Sequence, residues 1–445
     1  MNKLLIKNGY IVTMNKNREI FKGDILIKGN KINKINENIN LKDQSIEIID
    51  ARGKVIIPGL IQTHIHLTQT LFKGRADDLE LLDWLEKRIW PLEASHDKRS
   101  NYISAKLGIA ELIKGGTTSI VDMETVNHTD VAFKAVKETG FRALMGKCMM
   151  DYGKKLPKAL KEDTSISLKE SEKLIKKYHK SADGRIEYAL APRFVISCSE
   201  ELLAKTKELS DKYDVMMHTH ASENLGEISI VKKRTGMRNI EYLHKLGLTG
   251  EKLILAHCIH LDDNEMNILV DTKTKISHCI NSNLKLASGI AKIPELIDKG
   301  ACISLGADGA PCNNNLDMFR EMRNAALVQK PRLKDPTVME AKKVFELATL
   351  GGADALGKKD LLGSIEENKI ADLAILDLNN IQAAPSFVNL EDIYSSIVYS
   401  ASSRDVVHTI IDGKIVMKNK KLTTIDEKEV IKEASKIIKN KMQNI

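Results

Sequence analysis

Nowhere in the 445 residues do about 18 apolar residues follow one another, so no segment is spelled as a membrane-spanning helix. The opening run Met-Asn-Lys-Leu-Leu-Ile-Lys-Asn-Gly-Tyr lacks the apolar stretch of a signal peptide. A cytoplasmic protein with no membrane partner is expected. The six cysteines, Cys148, Cys198, Cys258, Cys279, Cys302 and Cys312, never fall in CxxC spacing, which argues against a disulfide framework or a structural zinc site and for buried free thiols. There is also no concentrated basic stripe. The net charge of +8 comes from lysines spread along the chain, and with no reader motif beside it a nucleic-acid partner is not expected. A Gly-rich dinucleotide fingerprint is missing after the first strand of the central region, which counts against an open nucleotide-binding sheet.

What is present is an ordinary globular composition with a definite order of elements. Residues 4–57 hold short alternating segments, Leu4 to Ile6, Ile11 to Met14, Asp24 to Lys28 and Ile46 to Ile49, separated by Asn-Gly, Gly-Asn and Gly-Lys turns. The same texture returns in Ala371 to Leu376 and Val406 to Met417, before an amphipathic helix over about 427–441. Both ends together predict one composite β-sandwich domain, residues 1–57 and 366–445. Between them, over 58–365, apolar strand-sized runs alternate with helix-sized segments. Strands are predicted at 58–65, 119–122, 142–150, 186–191, 214–219, 253–257, 275–278 and 301–307, with helices over 99–114 and 129–139. This α/β pattern favours a (β/α)8 TIM-like barrel.

On such a barrel His64 and His66 end the first strand, His220 the fifth, His257 the sixth and Asp308 the eighth. All would meet at the C-terminal mouth, where barrel enzymes keep their chemistry. Side chains two apart on a strand share a face, so His64 and His66 can grip one ion together. Neutral imidazoles and a carboxylate, here His64, His66, His220 and Asp308, suit one divalent ion, Zn²⁺ or Fe²⁺. Such an ion lowers the pKa of water to about 7. Glu223 can then take a proton from that water and deliver it to a substrate nitrogen, while Asp308 moves a second proton to a departing amine. His257 either hydrogen-bonds the water or the forming oxyanion, or is itself a ligand. His218, His260 and His278 are read as packed or surface histidines, and Cys258 and Cys279 as core thiols.

These residues resemble the amidohydrolase superfamily, in the branch of 5-methylthioadenosine/S-adenosylhomocysteine deaminases, s-triazine hydrolases and guanine deaminases. The resemblance runs nearly end to end. It rests on Pro58-Gly59-Leu60 before His64-Ile65-His66, Ala76-Asp77-Asp78-Leu79, Asp83-Trp84-Leu85, Trp90-Pro91-Leu92-Glu93, Gly115-Gly116-Thr117-Thr118, Leu255-Ala256-His257-Cys258, Ser282 to Gly289, and Gly306 to Phe319. The run Asn313 to Phe319 is especially close to the methylthioadenosine and S-adenosylhomocysteine deaminases. The resemblance implies a deaminase that is a homo-oligomer, with Glu93 holding ribose hydroxyls. Many superfamily members bridge two metals with a carboxylated lysine at the end of the fourth strand. Here that strand ends Ala191-Pro192-Arg193-Phe194, so a single metal and deamination are expected.

The substrate pocket departs from the adenosine-type pattern. Arg193 replaces a histidine, and Lys147 stands where an arginine near the sugar or its tail is usual. Pro192-Arg193-Phe194, Gln69 and His220-Ala221-Ser222-Glu223-Asn224 look more like guanine deaminases. Arg193 and Gln69 suit an oxopurine edge. Arg193 can equally be a rim salt bridge, and Glu93 a solvated helix-end carboxylate. The expected substrate is an aminated heterocycle: first a 5′-modified adenosine (5′-deoxyadenosine, methylthioadenosine or S-adenosylhomocysteine), then guanine or 8-oxoguanine, then an s-triazine. A non-catalytic barrel scaffold is the rival of another class, and it should have lost a ligand or the proton shuttle; none is missing.

Overall fold

The computed structural model describes residues 3–41, 46–385 and 389–443. Residues 42–45 and 386–388 of the expected terminal domain, with the residues at either end, lie outside these. The central region is built on eight parallel strands, Leu60–His66, Thr117–Met123, Arg142–Gly146, Ile186–Pro192, Met216–Ala221, Leu253–His257, Lys275–His278 and Cys302–Leu305. Each predicted strand is there within a few residues. So are the helices Lys98–Lys114 and Thr129–Thr139, the first started by a capping box between Asp97 and Ser100.

The two ends of this sheet meet. Asp308 and Gly309, just past the eighth strand, pair in parallel with Ile65 and His66 of the first, and Thr63 Oγ1 donates to the Leu305 carbonyl at 3.0 Å. Gly306 makes the closure possible, because a Cβ there would lie 2.7 Å from the His64 backbone nitrogen. The interior is layered. Ile61, Val121, Leu144, Ala189 and Ile254 form an apolar floor, plugged from below by Ala353, Leu356 and Leu362. Above them Thr63 shares hydroxyl hydrogen bonds of 2.7 Å with Ser277 and Ser304, and above these lie the histidines. A filled interior of this kind leaves chemistry only at the mouth.

Among the described residues the two chain ends form one further hydrogen-bonded sheet of nine strands, apart from the barrel. Val55–Pro58 unites them, lying parallel to Lys3–Val12 on one side and antiparallel to Leu373–Leu376 on the other. Asn8-Gly9, expected to be a turn, is instead a bulge within the single strand Lys3–Val12: Asn8 takes φ +64° and its N–H donates to buried Asp24 at 2.8 Å. The helix Glu427–Met442 folds back on the barrel, where Ala434 joins Leu71, Phe72, Leu92 and Ile103. Among the described residues no helix is long and apolar enough to cross a membrane.

Barrel and terminal sheet are locked by a buried ionic knot. Arg142 on the third strand donates from Nε to Asp372 (2.8 Å) and from Nη2 to both Asp372 (3.2 Å) and Asp412 (3.3 Å), and all three residues are buried. Removing only the cation leaves two carboxylates buried without it. Arg142→Leu is therefore expected to lower stability by about 3–5 kcal/mol, read as a shifted denaturant midpoint, and the knot is unimportant if the midpoint stays put.

Candidate active site

A bulge in the first barrel strand sets the site. Between Gln62 and Ile65 that strand advances three residues while its neighbour advances two, Ile120 to Asp122. Strict alternation would send Thr63 and His64 to opposite faces. The extra residue lets Ile61 and Thr63 fill the interior below while His64 and His66 face inward above. Irregular backbone recurs at two further contributors and beside a third: His257 and Asp308 take left-handed φ, +74° and +62°, and so does Ser222, just before Glu223, at +55°. Such non-glycine conformations cluster at functional sites.

Four imidazoles and two carboxylates meet there, all buried. His66 Nδ1–H donates to the Met123 carbonyl (2.7 Å), His220 Nδ1–H to the Arg193 carbonyl (2.6 Å) and His257 Nδ1–H to Asn283 Oδ1 (2.9 Å). A carbonyl can only accept, so each ring carries its hydrogen on Nδ1 and turns a bare Nε2 lone pair inward. The Nε2 atoms of His66 and His220 are 3.3 Å apart, and His64 Nε2 lies 3.1 Å from Asp308 Oδ1. Facing lone pairs repel. Protonation does not relieve this, because burial pushes His66 down to about 3 and also lowers His64 and His220. A cation does relieve it. The donor atoms of His64, His220, His257 and Asp308 lie within 4.8 Å of one another, with His66 Nε2 3.4 Å from the same Asp308 oxygen, so these residues fit a metal ion.

The acid side of the site is held as firmly. Glu223 lies at the start of the loop after the fifth strand, its backbone N–H donating to Glu227 Oε2 at 2.9 Å, while Asn239 holds the other Glu227 oxygen. Burial first, and then the charge of Asp308, pushes the Glu223 carboxyl well above its usual range. Its Oε1 has no partner, and Oε2 lies 3.4 Å from His257 Nε2. Asp308 behaves oppositely: the Gly309 N–H donates to its Oδ1 at 2.6 Å, and hydrogen bonds to the ionised form favour it. Ser282 Oγ donates to its Oδ2 at 2.6 Å. Two carboxyls are thus set apart, one inclined to carry a proton and one to stay charged.

Across the pocket lies a second polar group. Arg193 grips Glu93 with both terminal nitrogens (2.7 and 3.2 Å), and Gln69 Nε2 donates to Glu93 Oε1 at 2.8 Å. Leu81, Trp84, Leu85, Phe194 and Leu286 complete the pocket with apolar surface.

Of the residues singled out from the sequence, His66, His220, His257, Asp308, Glu223, Gln69 and Arg193 line one pocket, while His64 lies behind it against Asp308 and Glu93 behind Gln69 and Arg193. Glu93 is not solvated: it is buried and paired with Arg193. Lys147 is outside the pocket lining. It is fully buried and bonded to Glu162 (2.5 Å) and the Val126 carbonyl (3.1 Å). Sequence reasoning missed the supporting shell of His218, Asn283, Glu227 and Ser282. For His218 a signal existed, since His218-Thr219-His220 repeats the spacing of His64-Ile65-His66. The run Asn313 to Asn315 ties loops together, through Ala307, Gly74 and Asp77, rather than lining the pocket.

The family model of the amidohydrolase family matches residues 55–416, spanning the barrel and the sheet strands that flank it. This chain belongs to the amidohydrolase family. It is 41% identical over 437 residues to the 5′-deoxyadenosine deaminase of Methanobrevibacter smithii, covering 98% of each chain. Among solved structures, an adenosine deaminase from Xanthomonas campestris with bound zinc superposes with a TM-score of 0.90 at 30% identity, covering 100% of this chain and 99% of that one. An Escherichia coli guanine deaminase superposes with a TM-score of 0.85 at 29% identity, covering 94% and 100%. In this amidohydrolase Gly309 borders the polar wall, where a Cβ would stand 1.9 Å from Gln69 Oε1. Gly309→Ala is expected to fold with the Gln69 carboxamide displaced and its hydrogen bond to Glu93 broken. A crystal structure of the variant with that bond intact would refute this.

Proposed function

We propose that the protein is a metal-dependent aminohydrolase that converts a 5′-modified adenosine, 5′-deoxyadenosine first, to the inosine analogue and ammonia. The observation that carries the reading is the buried convergence of bare imidazole lone pairs on Asp308 beside the Glu223 carboxyl, whose Oε1 is unpartnered and whose Oε2 lies 3.4 Å from His257 Nε2. The name of the Methanobrevibacter smithii relative, similar over the whole length, supports the choice of substrate. In this reading His64, His66, His220 and Asp308 hold one ion. Zinc is the first choice, from the donor chemistry and the zinc-bound Xanthomonas campestris structure, with Fe²⁺ the alternative. The ion supplies Lewis acidity, lowering the pKa of water to about 7.

The chain's own residues then move protons. Glu223 accepts one from the attacking water and delivers it to the ring nitrogen next to the reacting carbon. His257, whose Nδ1–H is held by Asn283 Oδ1, offers Nε2 toward the water. Asp308, ionised at the start, takes the remaining proton of the attacking oxygen and passes it to the leaving amine. A carbon–oxygen bond forms and the carbon–nitrogen bond breaks; one water is consumed and one ammonia released, with no change of oxidation state. Glu93 holds the ribose hydroxyls, and Leu81, Trp84, Leu85 and Leu286 exclude water from the reacting ring.

A second reading, deamination of guanine or 8-oxoguanine, is favoured by one feature: Arg193 and Gln69 both line the pocket. Ammonia release from 5′-deoxyadenosine, methylthioadenosine, S-adenosylhomocysteine, adenosine, guanine and 8-oxoguanine separates the two. Turnover of a 5′-modified adenosine is expected; turnover of guanine alone reverses the order. Glu223→Gln should lose about 10²–10⁴-fold in kcat while keeping the metal content of the parent, and an unimpaired variant would remove Glu223 from the mechanism. Chelation should abolish turnover and zinc or ferrous ion restore it; activity that survives complete metal removal rejects the metal reading. Self-association and a cytoplasmic location belong to the same proposal, and a monomer in sedimentation velocity would end the first of these.

A further inference from the structure

Of the four imidazoles at the site, His66 and His220 are fixed by backbone carbonyls, which can only accept a hydrogen, and His257 by the Asn283 side-chain amide. His64 alone is fixed by another titratable ring: its Nδ1 lies 2.7 Å from His218 Nε2. Either nitrogen of such a pair can be the donor, so this contact by itself leaves open which nitrogen of His64 faces the centre. The other end of His218 settles the matter. His218 Nδ1 lies 3.2 Å from the carbonyl of Ile254, on the neighbouring sixth strand, and a carbonyl only accepts. His218 therefore keeps its hydrogen on Nδ1, its Nε2 is an acceptor, and His64 donates from Nδ1. The His64 Nε2 lone pair is then the one turned toward Asp308.

We propose that His218 is a positioning residue for the metal: a one-way hydrogen-bond relay, from His64 through His218 to the Ile254 carbonyl, selects the metal-binding tautomer of His64 and fixes its ring. Three further observations agree. His218 is fully buried, so no water can replace it as acceptor. The rings of His64 and His218 meet edge to face, with centroids 4.9 Å apart, so rotation of either breaks the contact. Ile254 is paired directly with His218 across the parallel ladder, so the carbonyl at the end of the relay is held by the sheet itself. His218 touches neither pocket nor substrate, and its effect is on the ligand. The inference rests on the reading that His64 binds a metal ion.

The test is competition for Zn²⁺ between a chromophoric chelator and the full-length protein, as parent, His218→Leu and His218→Gln. A glutamine amide oxygen falls near the position of the imidazole Nε2 and can accept from His64; leucine cannot. His218→Leu should bind zinc about 10–100-fold more weakly than the parent, and His218→Gln should recover most of the loss. Parent-like affinity in the leucine variant, or a glutamine variant as weak as the leucine one, overturns the proposal. Should the leucine variant not fold, a neutron structure of the parent decides: deuterium on His218 Nδ1 and on His64 Nδ1 supports the relay, and deuterium on His218 Nε2 refutes it. A parent that binds no zinc strikes at the metal reading instead, and the neutron structure still judges the relay.

Discussion

The rest of the molecule depends on an unfavourable interaction. At the barrel mouth bare imidazole nitrogens face one another at 3.3 Å and face a carboxylate at 3.1 Å, in a place where burial denies the rings a proton. Left to itself such a cluster would rotate its rings to make ordinary hydrogen bonds, since an unsatisfied buried polar group costs about 1–3 kcal/mol. Rotation is prevented from behind. Met123, Arg193, Asn283 and His218 each occupy the outer nitrogen of one ring; Met123 and His218 belong to strands, Arg193 directly follows one, and Asn283 lies in the short helix Ile280–Lys285. The barrel is thus a device for holding lone pairs where they repel, which is the condition for binding a cation tightly.

Holding them there requires irregular backbone at chosen points. The bulge at Thr63–His64 allows two successive residues to serve two layers of the interior, a structural hydroxyl network below and a ligand above. Gly306 and Gly309 let the closing segment approach the first strand and Gln69 more closely than any side chain would permit. The left-handed conformations at Ser222, His257 and Asp308 turn the chain sharply just as it leaves the sheet. A strictly regular barrel would offer the same residues on the same strands and bring fewer of them to one point.

This division explains what could be read in advance. Strand positions and the inward convergence of His64, His66, His220, His257 and Asp308 follow from apolar runs, a period of two and the rule that strand ends share a mouth; all were legible. The bulge was not, because the expectation that His64 and His66 share a face holds with or without it, and only the position of Thr63 reveals the extra residue. Asn8-Gly9 was misread for the same reason: a dipeptide suited to positive φ marks a turn or a bulge equally well, and the choice depends on distant Asp24. Arg193, Glu93 and Lys147 were legible as unusual but not as partners. Which charge meets which is decided by packing between residues 100 apart in one case and by a loop carboxylate, Glu162, in the other.

The Arg193–Glu93 pair bears on substrate choice by counting hydrogen-bond capacity. An ionised carboxylate has about four lone-pair sites. Glu93 Oε1 already accepts from Gln69 and Arg193, and Oε2 from Arg193, which leaves one site on Oε2. Gln69 Oε1 is buried without a partner and supplies a second acceptor beside it. Two neighbouring acceptors match two neighbouring hydroxyl donors, as on a ribose ring, with nothing rearranged. An oxopurine edge instead needs donors from Arg193, and of its five N–H groups two are committed to Glu93; withdrawing those two would leave a buried carboxylate without its cation, a loss of several kcal/mol. The same arginine that makes the sequence look guanine-directed is, in the folded chain, the residue that holds Glu93 in place, and an oxopurine would have to be read by the guanidinium hydrogens that Glu93 leaves over.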